Sequence, residues 1–167
     1  LIDRLLSVGA DIDARTTEGL TPLHSATFRA ESGRAAAILL QRGAAKDAVN
    51  SKGESPLHHA AEFGRLTATR ALLAAGADAT LLTDPPLIKT PLHAAASFGT
   101  VEVVREFILH GVDLDASTDP DGDTALHRAL FYNQADGVDA LLAAGASATP
   151  MPGPENRTPL SAASELL

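Results

Sequence analysis

The sequence predicts an all-α solenoid built from helix–turn–helix pairs joined by hairpin loops, and three observations predict it. The tetrapeptide Thr-Pro-Leu-His stands at Thr21–His24 and Thr90–His93, with variants at Ser55–His58, Thr124–His127 and Thr158–Ser161; successive starts lie 34, 35, 34 and 34 residues apart. A second marker, Gly followed by a small residue, recurs in the same register at Gly9, Gly43, Gly76, Gly111 and Gly145. Two independent markers in one register identify a repeat architecture. The third observation is composition: 32 alanines in 167 residues, aromatics at 4% and no Trp. Such a core suits closely packed helices with small side chains at their contacts.

Each element follows from local chemistry. The motif Thr or Ser caps a helix, and Pro at the first helical position gives up an N–H that would have no partner. The first helix then runs through small residues, as in Leu57-His58-His59-Ala60-Ala61-Glu62-Phe63. A left-handed residue is expected to stop it: Gly64, then Gly99, then Asn133, the usual second choice. A second helix ends near the apolar pairs Leu39-Leu40, Leu72-Leu73, Phe107-Ile108 and Leu141-Leu142, and glycine closes it. About a dozen polar residues return to the next motif. Complete helix pairs are therefore predicted over 21–43, 55–76, 90–111 and 124–145, with the second helix of a preceding repeat at 1–9 and the first helix of a following one at 158–167.

These elements resemble the ankyrin repeat, which joins a Thr-Pro-Leu-His helix, a Gly turn, a Leu-Leu helix and a Gly-Ala-Asp hairpin. Gly9-Ala10-Asp11-Ile12-Asp13-Ala14 and Gly76-Ala77-Asp78-Ala79 match the hairpin start. The resemblance covers essentially the whole chain. It implies a single array over 1–167: a half repeat at 1–20, repeats at about 21–54, 55–89, 90–123 and 124–157, and a partial repeat at 158–167. Neither end reads as a polar cap, and each terminal half-repeat would expose an apolar stacking face. Together with the missing initiator Met, this suggests a fragment with more repeats, or another domain, beyond both ends; atypical flanking caps are the alternative.

The chain departs from the pattern in several places. The first complete repeat has one extra residue, and its turn around Ala30-Glu31-Ser32-Gly33 should be irregular. Three hairpins are longer than the first two. The finger at 77–89 lacks a turn glycine and reads Thr83-Asp84-Pro85-Pro86-Leu87-Ile88-Lys89; the last, Thr149-Pro150-Met151-Pro152-Gly153-Pro154, is proline-rich. Both should be stiff loops rather than regular β-turns, because Pro cannot donate to a ladder.

Composition bounds the function. At ~150 residues per domain the length fits one domain or one array. The absence of Cys removes disulfides, zinc–thiolate sites, iron–sulfur clusters and a cysteine nucleophile, and fits a reducing, intracellular and cytoplasmic setting. No apolar run approaches the ~18 residues of a membrane span, and the opening Leu1-Ile2-Asp3-Arg4-Leu5-Leu6 lacks the basic start and long apolar stretch of a signal peptide. The net charge of −8 is unevenly spread. Residues 1–70 carry nine Lys/Arg against eight Asp/Glu, and residues 71–167 carry four against thirteen. An acidic half repels phosphate backbones, so nucleic acid is not an expected partner; the same charge also serves solubility.

No feature argues for an enzyme or a cofactor. His24, His58, His93 and His127 are the motif histidines, which in the ankyrin resemblance bond to the motif Thr or Ser and to adjacent backbone. One per repeat, they should stand roughly 8–10 Å apart, with no nucleophile beside them. In His58-His59, adjacent helical residues diverge by about 100° and cannot share an ion easily; the pair reads as one structural and one surface histidine. Asp119-Pro120-Asp121-Gly122-Asp123 opens like a calcium loop, but the position of the bidentate Glu holds Leu130, so an Asp-Gly turn fits better. Phosphate-loop, nucleophile-elbow and metal-spaced His/Glu motifs are absent.

The aromatics carry more information. Of Phe28, Phe63, Phe98, Phe107, Phe131 and Tyr132, five follow the small-residue part of a first helix. Phe63, Phe98 and Tyr132 share one repeat position, Phe131 adjoins Tyr132, and Phe28 adjoins Arg29 at the corresponding place. The resemblance puts this region on a concave face, where ankyrin arrays commonly touch partners. Two readings stay open: the rings fill space against the next repeat, or they form a ladder of roughly 20 Å that anchors a partner. Their clustering favours the ladder. The fingertips are a second candidate: Thr17-Glu18, Ser51-Lys52, Leu87-Ile88-Lys89 and Asp121 with Asp123. Leu87 and Ile88 either face a partner or fold onto a neighbouring finger. The acidic finger at 112–123 would prefer a basic segment. The expected function is thus protein binding by a monomeric array; a regulatory or targeting segment of a larger enzyme, ligase or channel is the rival.

Overall fold

The computed structural model describes residues 2–28, 33–118 and 122–149. The turn at 30–32, Asp119 to Asp121, the proline-rich finger from 150 onward and the expected helix at 158–167 lie outside them. Among the described residues the chain forms nine α-helices and no strand: α1 (Ile2–Ser7), α2 (Pro22–Phe28), α3 (Gly33–Gln41), α4 (Pro56–Glu62), α5 (Leu66–Ala74), α6 (Pro91–Phe98), α7 (Val101–Leu109), α8 (Ala125–Phe131) and α9 (Ala135–Ala143). Helices α2, α4, α6 and α8 stack in one layer, and α3, α5, α7 and α9 form a second layer against them, with α1 on α3.

The core lies between the layers. The motif leucines Leu23, Leu57, Leu92 and Leu126 are buried, each stabilising the fold by about 1.5–3 kcal/mol. Around them sit Ala60, Ala61, Ala94, Ala95, Ala96, Ala125 and Ala129, also buried. Their methyl groups let first helices approach closely. In the second layer Leu39, Leu72, Val103, Val104, Phe107 and Leu141 fill the space.

Buried imidazoles tie one repeat to the next. The backbone N–H groups of Thr21, Ser55 and Thr124 donate to Nδ1 of His24, His58 and His127 at 3.1, 3.1 and 3.3 Å. With Nδ1 an acceptor, the proton sits on Nε2. His24 and His58 donate it to the carbonyls of Glu54 and Lys89 (both 3.0 Å), and His93 Nε2 lies 3.2 Å from the Asp123 carbonyl. Each acceptor is the residue just before the next repeat's motif. Burial is the main cause that lowers the pKa of His24 and His58 to about 4.

The fingers are linked without a ladder. Each closes on itself by backbone bonds at its base, Thr16 N–H to Leu20, Asn50 N–H to Glu54 and Thr83 N–H to Lys89 (3.0–3.1 Å), and the first two add a turn bond from Gly19 N–H to Thr16 and from Gly53 N–H to Asn50. Neighbours join through Ser51 N–H to the Glu18 carbonyl (3.0 Å) and Asp84 N–H to Lys52 (2.9 Å). At their base Asp13, Asp47 and Asp115 accept from the N–H of Ala45, Asp78 and Ser147 in the following repeat. In that register Thr80 instead donates to Asp78 (2.7 Å). The finger at 77–89, expected as an irregular stiff loop, makes a closed turn at the cis Pro85–Pro86 bond, with Thr83 Oγ1 donating to the Leu87 carbonyl.

One turn differs from expectation. Gly64 and Asn133 adopt left-handed φ values of 64° and 54°, but Gly99 is extended at φ −73°, ψ −177°. Glycine is needed at Gly99 for space: a Cβ there would lie 2.7 Å from the carbonyl oxygens of both Ala61 and Ala95. Gly99→Ala should accordingly lower unfolding stability by about 1–3 kcal/mol in chemical denaturation, and unchanged stability would refute the close approach.

The histidines make stability depend on pH. The folded state lowers their pKa, so the unfolded chain binds protons first; stability is complete above pH 6.5 and falls as pH drops toward about 4. The loss should be on the order of 2–3 kcal/mol for each imidazole. Denaturation midpoints at pH 7.0 and 4.5 measure it, and equal midpoints would rule the coupling out.

Candidate functional site

Four repeat positions meet on the finger side of the first-helix layer: the residue before the motif Thr or Ser, and those four, seven and eight places after it. Helical spacing of three or four brings the last three onto one face. In the second repeat these positions are held by Glu54, His59, Glu62 and Phe63, and in the fourth by Asp123, Arg128, Phe131 and Tyr132. The imidazole bond to the carbonyl of the leading residue holds that residue's side chain beside the face.

The rings form two groups. Phe28 and Phe63 lie 5.2 Å apart and flank His59, at 4.8 and 6.2 Å. Phe98 packs on Tyr132 at 4.5 Å, and Phe131 meets Tyr132 at 5.1 Å. Among the described residues Phe63 and Phe98 make no ring contact with each other, whereas Phe98 and Tyr132 do. Ala94 occupies the third repeat's equivalent of His59, so that repeat lacks a central ring to link the groups. Phe28, Phe63, Phe98 and Phe131 remain 37–49% exposed, and Tyr132 is partly buried.

A charged network underlies the first group. Lys89 Nζ donates to Glu62 Oε2 at 2.6 Å and lies 3.7 Å from Glu54 Oε1. Glu54 Oε2 accepts from Asn50 Nδ2 (2.9 Å) and sits 3.1 Å from His59 Nε2. The His59 hydrogen bond is the main cause that lowers the Glu54 pKa to about 2. Two expectations are overturned here. Lys89, expected at a fingertip, is 7% exposed and paired inward, because its backbone is held by His58. His59, expected at the surface, is 4% exposed, packed against Phe28 and Phe63. In the fourth repeat Arg128 Nε lies 3.7 Å from Asp123 Oδ2.

Of the other expected contact residues, Leu87 is half-exposed and Ile88 partly buried, its carbonyl accepting from Thr118 Oγ1 at 3.1 Å. Arg29 and Asp121 lie outside the described residues. Sequence reasoning missed Asn50, Glu54, His59 and Glu62. The available signal was the charged residue before the second, third and fourth motifs, Glu54, Lys89 and Asp123, of alternating sign. Among the described residues no three His, Asp or Glu side chains gather as a metal site would, and no helix is long and apolar enough to cross a membrane.

Comparison with known proteins gives a consistent result. The sequence model for ankyrin repeats (three copies) matches residues 1–83 and 79–151. The B-cell lymphoma 3 protein homolog of Mus musculus is 43% identical over 79 residues, 47% of this chain and 17% of that protein. A probable serine/threonine-protein kinase of Dictyostelium discoideum is 38% identical over 79 residues, 46% of this chain and 9% of its own length. The stretches shared with these curated relatives thus span less than a fifth of either.

Lys89→Ala should leave Glu54 and Glu62 facing each other and lower stability by about 1–3 kcal/mol. A double-mutant cycle with Glu62→Ala should return a coupling above about 0.5 kcal/mol, and additivity of the two variants would refute the network.

Proposed function

This chain belongs to the ankyrin-repeat family, and we propose that it binds a partner protein or peptide on the finger side of its first helices, the concave face of the array. Ankyrin repeats are generally protein–protein interaction modules, and their all-helical fold is typically non-catalytic. The observation that carries the finer reading is the exposure of Phe28, Phe63, Phe98 and Phe131 on one side of a chain that has six aromatic residues in all. Half-exposed rings in preformed positions are suited to anchoring a partner with little ordering cost.

The fingertips beside them set specificity, with Leu87 and Asp123 at the rim. The acidic second half orients a basic segment of the partner, an effect that weakens as salt rises. The array works as a monomer inside the cell, as one unit over 1–167. A second reading rests on the Dictyostelium relative, in which the similar stretch is 9% of a probable kinase: the array is then the regulatory or targeting segment of a larger enzyme.

Affinity capture from native lysate tests the surface. The wild type should retain a partner that Phe28→Ala/Phe63→Ala or Phe98→Ala/Tyr132→Ala, each shown by circular dichroism to be folded, loses or binds at least about tenfold more weakly. Leu109→Ser, on an exposed residue of the second-helix layer, should keep it. Loss only in the Leu109 variant would move the site to the opposite face.

A further inference from the structure

The two aromatic groups are not equivalent. The first borders a pocket of about 340 Å³ between the first two fingers and helices α2 and α4, lined among others by Phe28, Phe63, His59, Glu18, Glu54 and Glu62. Its walls are two tilted phenyl rings, and three carboxylates surround them. Lys89, held at 2.6 Å by Glu62, neutralises part of that charge from below. Lys52 also lines the pocket but is exposed at its fingertip.

The pocket has more acceptors than donors. Glu62 commits one oxygen, Oε2, to Lys89, and Glu18 offers its carboxylate at the exposed rim. His59 Nε2 lies 3.1 Å from the Glu54 carboxylate, and its ring packs against both phenyl rings. A ligand that completes this site must bring several N–H groups, positive charge and a flat face for the phenyl rings. Guanidinium has all three properties: it stacks on aromatic faces, is weakly hydrated, and forks its donors between carboxylates. In the fourth repeat an arginine, Arg128, stands in the register of His59, its Nε 3.7 Å from Asp123 Oδ2.

We propose that the pocket between Phe28 and Phe63 receives an arginine side chain of the partner, its guanidinium stacked on the rings and bonded to Glu18 and Glu62. This deepens the protein-binding reading and rests on it, because it assigns the anchor of the partner to one subsite. Lysine fits less well, since an ammonium offers no plane to stack and holds its water more tightly.

The test is an NMR titration of the whole ¹⁵N-labelled chain with N-acetyl-arginine methylamide, and with the lysine and citrulline counterparts as separate probes. The arginine probe should give saturable shifts confined to residues around Phe28, His59 and Phe63. Citrulline, equal in shape but uncharged, should give none, and lysine should bind at least about fivefold more weakly. Glu18→Gln/Glu62→Gln should weaken the arginine probe about tenfold, and Lys52→Glu should tighten it. Equal binding of lysine or citrulline, shifts centred elsewhere, or no saturable shift would each overturn the assignment. Because no partner is needed, the result separates from the capture experiment: lost capture in Phe28→Ala/Phe63→Ala with no arginine binding would leave the protein-binding reading standing and refute the arginine pocket alone.

Discussion

A neutral imidazole buried between two repeats is the constraint from which the rest of the structure follows. Contacts between first helices are made largely by alanine methyl groups, which allow close approach but little directionality. Direction comes from His24, His58 and His93, which join the cap of their own helix to the carbonyl before the next one. A buried polar ring is tolerable only when its nitrogens are satisfied, so the bond imposes a register as well as adding stability. It also requires the uncharged ring: a proton on Nδ1 would face the N–H of Thr21 or Ser55.

That bond also builds the candidate surface. The carbonyl that each imidazole engages belongs to Glu54, Lys89 or Asp123, so fixing the backbone fixes where those charges stand. Lys89 is thereby turned toward Glu62 and Glu54 instead of solvent, and Asp123 toward Arg128. The stacking bond and the charge on the candidate surface thus meet in the same residue.

The surface is periodic in backbone and uneven in side chains. His59 gathers Phe28 and Phe63 around a polar centre, and Ala94 at the same place one repeat later leaves no ring to continue the series. Two short aromatic groups with different charged neighbours result.

How much was legible follows from the range of each interaction. The sequence by itself determined the helix pairs, the capping Thr and Ser, the proline at the first helical position and the closing glycines, because these depend on neighbours within a turn or two of chain. The motif histidines were legible through family resemblance, and their bonds across about 30 residues agree with it. Only the tertiary structure decided that Gly99 is required for the space beside Ala61 and not for its φ. The same holds for Lys89 and His59, which local pattern placed at the surface. Their burial arises from side chains about 30 residues away along the chain, Phe28 for His59 and Glu62 for Lys89, and periodicity reports where a residue lies along a repeat but not which distant side chain packs upon it.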